Sequence, residues 1–312
     1  MILDVPRGAG IHRHLLDVDA MSRAEIERIL DLAVEMRAAR ATRAHRFLLE
    51  AETVGLAFYE GSTRTRVSFE LAARALGATV VDLSIAGSSV GKGESLVDTL
   101  RTLERTGVTA LILRHQASGA PYLAARCTTM AIVNAGDGMH AHPTQALLDA
   151  LTLREALGSL DGRVIAIVGD VAHSRVARSN LHALVRLGAR VRLVGPPSWV
   201  GGFDGRPGVE VAPGMREALT GADAVMTLRV QLERAAAGGV PSLREYAGRW
   251  GLDEARMQLA APDAPVLHPG PTNEGVELTA DLANGPRSLI GRQVENGVPI
   301  RMAVLALVTG AA

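Results

Sequence analysis

Phe58-Tyr59-Glu60-Gly61-Ser62-Thr63-Arg64-Thr65-Arg66-Val67-Ser68-Phe69-Glu70 carries an apolar run into a glycine turn, then into hydroxyl residues that open a helical pattern. A strand ending at Tyr59 with a helix starting a few residues later is the βα joint of a parallel sheet. The first N–H groups of that helix have no intrahelical partners, and its dipole puts partial positive charge there. An anion therefore fits the joint. Ser62, Thr63 and Thr65 add hydroxyl donors, and Arg64 adds a charged fork. The competing reading is a cluster of N-cap hydroxyls with Arg64 and Arg66 in solvent. Position favours the anion, since α/β sheets bind ligands at the C-terminal edges of their strands.

The same alternation extends in both directions. Periodicity predicts helices over Arg23–Arg40, Arg66–Leu76, Ser95–Arg105 and Pro143–Ala156, and strands over Thr53–Tyr59, Thr79–Leu83, Ala110–Leu113 and Ala131–Asn134. After Gly158-Ser159-Leu160-Asp161-Gly162 a second unit begins. It reads as strand Val164–Val168, helix Val176–Leu187, strand Arg190–Val194, helix Met215–Leu219 and strand Ala224–Thr227. The apolar stretch Arg301–Val308 predicts a closing helix. At 312 residues the chain has room for two cores. The expected fold is α/β, with two doubly wound parallel-sheet domains.

A hydrophobic share of 47% and a charged share of 21% describe a soluble globular protein. The net charge of zero gives no reason to expect a nucleic-acid or membrane-surface partner. No apolar run reaches the roughly 18 residues that span a bilayer, and the acids and histidines near the N-terminus do not resemble a signal peptide. Cys127 is the single cysteine, which excludes an internal disulfide and fits a reducing cytoplasm. On the approach to Met130-Ala131-Ile132-Val133 it reads as a buried structural thiol. Lys92 is the single lysine among 33 Lys and Arg residues. It lies in Gly87-Ser88-Ser89-Val90-Gly91-Lys92-Gly93-Glu94, where a compact, flexible ammonium serves an anion differently from a planar guanidinium.

The Ser-Thr-Arg-Thr-Arg segment resembles the phosphate-binding signature of the carbamoyltransferases. Ser88-Ser89-x-x-Lys92-Gly93-Glu94-Ser95 is similar to the mobile loop of the aspartate carbamoyltransferases within that superfamily. Asn134-Ala135-Gly136-Asp137-Gly138 and His142-Pro143-Thr144-Gln145-Ala146-Leu147-Leu148-Asp149 match its central segment. Arg229-Val230-Gln231-x-Glu233-Arg234 and His268-Pro269-Gly270-Pro271 complete five motifs in the family's order.

The resemblance implies transfer of the carbamoyl group of carbamoyl phosphate to the α-amine of L-aspartate, an early step of pyrimidine synthesis. The electrophile arrives activated, so orientation and charge stabilisation suffice and no metal or cofactor is expected. By resemblance, Ser62, Thr63, Arg64 and Thr65 hold the phosphate, and Thr65, Arg114 and His142 surround the carbonyl oxygen. Gln145 and the backbone carbonyls of Gly270 and Pro271 hold the carbamoyl nitrogen. Arg175 and Arg229 clamp the two aspartate carboxylates, assisted by Gln231. Ser88, chosen over Ser89 by its spacing to Lys92, and Lys92 itself act in the neighbouring subunit of a homotrimer. A further assembly with regulatory or dihydroorotase-like chains is compatible with the family, as is a cytoplasmic location.

The domain division implied is 1–142, completed by a C-terminal helix over 290–312, for carbamoyl phosphate, and 143–289 for aspartate. The active site is expected in the cleft between them. His142 read alone is only a helix N-terminal residue; within His-Pro-Thr-Gln it is a ligand, kept neutral by the helix N-terminus. Arg114 closes an apolar strand, which demands a ligand or an acidic partner. Transfer to another amine such as ornithine is the alternative. The ornithine enzymes carry His-Cys-Leu-Pro where this chain has His268-Pro269-Gly270-Pro271. The chain departs from the family at Gly61, often Pro, and at Glu274, where a basic residue is common.

Overall fold

The structure, a computed structural model, describes residues 13–42, 48–83, 94–230 and 242–312. The chain divides into two compact units: Met1–Gly138 with Val298–Ala312, and Met139–Gly297. Ser88, Lys92 and Gln231 lie outside the described residues.

In the first unit α1 (Arg23–Thr42) is followed by β1 (Thr53–Phe58), α2 (Thr63–Ala75), β2 (Thr79–Leu83), α3 (Leu96–Arg105), β3 (Ala110–His115), α4 (Ala120–Cys127) and β4 (Ala131–Asp137). The four strands form one parallel sheet in the order β2-β1-β3-β4. β3 and β4 read as unbroken apolar runs because helices cover both faces of such a sheet. A reciprocal cap starts α1: Ser22 N–H donates to Glu25 Oε2 at 2.7 Å and Glu25 N–H to Ser22 Oγ at 3.2 Å. Leu100, Leu103, Leu111, Leu113 and Ile132 pack one side of the core. On another, buried Phe69 takes the Arg301 guanidinium over its ring at 4.9 Å.

The second unit opens with α5 (Pro143–Leu157), β5 (Val164–Val168), α6 (Arg175–Arg186), β6 (Arg190–Val194), α7 (Pro197–Val200), β7 (Val209–Val211), α8 (Met215–Leu219) and β8 (Ala224–Thr227). It continues with α9 (Leu243–Trp250), α10 (Glu254–Met257), β9 (Val266–Leu267), α11 (Ala280–Asn284) and the start of α12 (Ile290–Val308). Its five strands are parallel in the order β7-β6-β5-β8-β9. Gly169 ends β5 at φ 125°, and a Cβ there would stand 2.8 Å from Tyr246 Oη, so the turn admits only glycine. Residues of α12 up to Gly297 group with this unit, and those from Val298 with the first. No described helix is long and apolar enough to cross a membrane.

Two α/β units with parallel sheets are the expected fold class. The differences lie at element ends and in short elements: α2 begins at Thr63, ahead of the expected Arg66, and α12 at Ile290, well before the apolar stretch at Arg301. β3 and β4 run past their apolar cores to His115 and Asp137. Cys127 is half-buried at the end of α4 and does not lie in the core. The Pro121-Tyr122-Leu123-Ala124 turn is helical, so Cys127 ends a helix and is separated from the strand by Thr128, Thr129 and Met130.

Candidate active site

Sheet order reverses once in each unit, and Ser62 to Thr65, Arg114, Arg175 and Arg229 sit at those reversals. In the first sheet β2 lies on one side of β1 and β3 on the other. The crevice beyond the C-terminal ends of such a strand pair is where open α/β sheets bind ligands. Ser62 to Thr65 follow β1, and Arg114 stands near the end of β3, paired in register with Phe58.

Ser62 is the N-cap of α2, yet its side chain makes no capping hydrogen bond. By contrast Ser95, Ser174 and Ser242 each accept the N–H three residues on, at 3.2, 3.2 and 3.1 Å. The Ser62 hydroxyl is thus left for another partner, beside helix N–H groups that need acceptors. Thr65 is buried, whereas Thr63 and Arg64 face outward. Arg66 is not part of this group, because it pairs with Asp82 on β2.

The β3–β4 register shifts between Leu113 and His115. A bulge of this kind re-aims the side chain it carries, here Arg114. Its acidic partner is Glu60, with Nη2 to Oε1 at 2.5 Å, and Nη1 donates to Ala135 O at 3.3 Å. The guanidinium is therefore held by at least two partners, one of them the half-exposed Glu60 carboxylate.

In the second unit the reversal lies between β5, flanked by β6, and β8. Arg175 opens α6 after β5, and Arg229 follows β8, exposed. Ser174 caps α6, and Asp170 accepts the His173 N–H at 3.1 Å, which fixes the turn that leads to Arg175. Two guanidinium groups at one sheet edge suit a ligand with two carboxylates.

His142 is the buried N-cap residue of α5, and its backbone N–H donates to Ser179 Oγ at 3.0 Å. One turn on, buried Gln145 donates from Nε2 to Asp149 Oδ1 at 2.9 Å. After β9 the His268-Pro269-Gly270-Pro271 segment turns back through a Gly270 N–H bond to His268 Nδ1 at 2.8 Å. The Gly270–Pro271 peptide is cis.

Glu277 was not legible as a site residue. It is buried; Oε1 accepts Val230 N–H and Asn273 Nδ2, both at 2.7 Å, and Oε2 accepts Asn273 N–H at 2.8 Å. It ties the residue after Arg229 to the loop beyond Pro271. Burial raises the Glu277 carboxyl above its ordinary pKa, and the N–H bonds only partly offset this. Glu60 and Asp149 also carry contacts to candidate site residues, Arg114 and Gln145.

The family model for the aspartate/ornithine carbamoyltransferase carbamoyl-P binding domain matches residues 13–155, and that for the Asp/Orn binding domain matches 161–308. The chain belongs to the aspartate/ornithine carbamoyltransferase family. Within it, the chain is 52% identical over 303 residues to the aspartate carbamoyltransferase catalytic subunit of Gluconobacter oxydans, covering 96% of this chain and 97% of that one. The aspartate transcarbamoylase of Trypanosoma cruzi, solved with N-(phosphonacetyl)-L-aspartic acid, has a TM-score of 0.85 at 33% identity, covering 94% of each chain. The ornithine carbamoyltransferase of Pyrococcus furiosus has a TM-score of 0.86 at 28% identity, covering 96% and 97%. Backbone shape is common to both branches of the family, so the choice of amine rests on side chains.

Proposed function

We propose that this carbamoyltransferase moves the carbamoyl group of carbamoyl phosphate onto the α-amine of L-aspartate, giving N-carbamoyl-L-aspartate and phosphate, as in early pyrimidine synthesis. The observation that carries it is the pair of arginines, Arg175 and Arg229, at the reversal of the second sheet. A dicarboxylate amine is complementary to that pair, whereas the cationic side chain of ornithine is not.

In this reading Ser62, Thr63, Arg64 and Thr65 hold the phosphate. The C–N bond forms as the amine lone pair attacks, charge grows on the carbonyl oxygen, and the C–O bond to phosphate then breaks, the departing phosphate taking the proton that the amine loses. Arg114, Thr65 and His142 stabilise the oxyanion, and Gln145 with the carbonyls of Gly270 and Pro271 orients the carbamoyl nitrogen. Such prearranged donors act where charge develops, at little reorganisation cost. Gln231 assists at the aspartate end. Purified protein should release phosphate from carbamoyl phosphate with L-aspartate and not with L-ornithine. The reverse preference overturns the reading.

We further infer a homotrimer in the cytoplasm whose Ser88 and Lys92 complete a neighbour's site, supported by the likeness of that loop to the family's. Mixing inactive Lys92→Ala and His142→Ala chains should restore activity, because some sites then receive both intact groups. No recovery in reassembled mixtures sinks the sharing.

A further inference from the structure

We propose that Asp149 fixes the polarity of the carbamoyl-nitrogen subsite, so that the enzyme selects an NH2 group over a methyl group of the same shape. The inference rests on the carbamoyl-transfer reading and deepens it.

Asp149 is fully buried within α5. Its Oδ1 accepts Gln145 Nε2 at 2.9 Å and Gln293 Nε2 at 2.7 Å, and its Oδ2 accepts Asn180 Nδ2 at 2.8 Å. All three contacts reach it through amide nitrogens, so both of its oxygens act as acceptors. Each amide bonded to it must present NH2 and turn its carbonyl oxygen elsewhere.

For Gln293 that oxygen has a visible use. Oε1 accepts the His268 N–H at 3.0 Å, and His268 Nδ1 accepts the Gly270 N–H at 2.8 Å. One carboxylate therefore reaches, through two links, the backbone leading to the Gly270 and Pro271 carbonyls. For Gln145 the outcome is a carbonyl oxygen directed away from Asp149. Both arms of the subsite thus present acceptors, which suits a group with two N–H donors.

A site built this way penalises a ligand that brings a methyl group, because its acceptors are left without donors. Acetyl phosphate differs from carbamoyl phosphate by CH3 for NH2 and keeps the same phosphate. Asp149 is a positioning residue: it touches Gln145 and Gln293 and no reacting atom.

The test measures KM for carbamoyl phosphate, and the inhibition constants of acetyl phosphate and inorganic phosphate, in the parent and in Asp149→Ala. Alanine removes both acceptors, so nothing holds the Gln145 and Gln293 amides in their present orientation. Carbamoyl phosphate should weaken about tenfold or more, while the other two change less than about twofold, since only the first uses the acceptors. Equal weakening of all three, or no change, overturns the inference. Should Asp149→Ala fail to fold, Gln293→Met removes the path from Asp149 to His268 and leaves Gln145 bonded to Asp149. It should lower the carbamoyl-to-acetyl discrimination at least about threefold, a smaller loss than the direct change; an unchanged ratio overturns the inference. A parent protein with no turnover of carbamoyl phosphate and aspartate would instead sink the underlying reading.

Discussion

At the edge of the first sheet the proposed ligand groups come from one short stretch, Ser62 to Thr65, joined by Arg114 from the adjacent strand. In the second unit the groups around Gln145 are assembled from segments as far apart as Asp149 and Gln293, 144 positions along the chain. The first arrangement offers backbone N–H groups, hydroxyls and an outward Arg64 at a helix start. The second is a buried network in which each amide orientation follows from its neighbour. A phosphate is large, charged and served by any convergent donors. A carbamoyl nitrogen differs from a methyl only by its N–H bonds, so recognising it needs acceptors locked in one orientation.

The sharpest way to break this comparison is to remove hydroxyls that occupy the same helix position in the two units. Ser62→Ala should weaken carbamoyl phosphate about ten- to a hundredfold, the worth of a hydrogen bond to a charged group, with almost no change in Tm. Ser174→Ala removes a formed cap and should lower stability by about 1 kcal/mol in denaturant titration. If Ser62→Ala destabilises as much as Ser174→Ala, its hydroxyl serves the fold and the contrast fails.

A smaller effect concerns Glu277. Burial raises its folded pKa, so the stability it contributes is fully present below its unfolded pKa and is lost as pH rises through the raised value. Glu277→Gln does not titrate. The Tm gap between parent and variant should narrow as pH climbs through that window. A gap that stays constant from acid to neutral pH contradicts the assignment.

The βα framework was legible because buried parallel strands such as Val164–Val168 are continuous apolar runs, and because Ser62 and Pro143 mark helix starts. β7 and β9, with three and two residues, carry too little pattern to read. The proposed phosphate stretch could be picked out because its residues are neighbours in sequence. Gln145 and Asp149 stand four apart on one helix face, so that half of the subsite was visible in principle. Gln293 was not, because its partner is far away in sequence. Glu277 likewise shows its role only through the Val230 and Asn273 backbone it bonds.

The second unit is an unbroken stretch, whereas the first takes Val298–Ala312 from beyond it. On the ribosome, the four strands of the first sheet emerge early, but Arg301 and the buried run Met302–Val308 arrive only after the whole second unit has been made. Synthesis usually lets the N-terminal domain finish first. Here the unit begun first is the one finished last, and a translation stall before Val298 would leave Phe69 without its covering guanidinium and the early sheet waiting on a helix not yet synthesised.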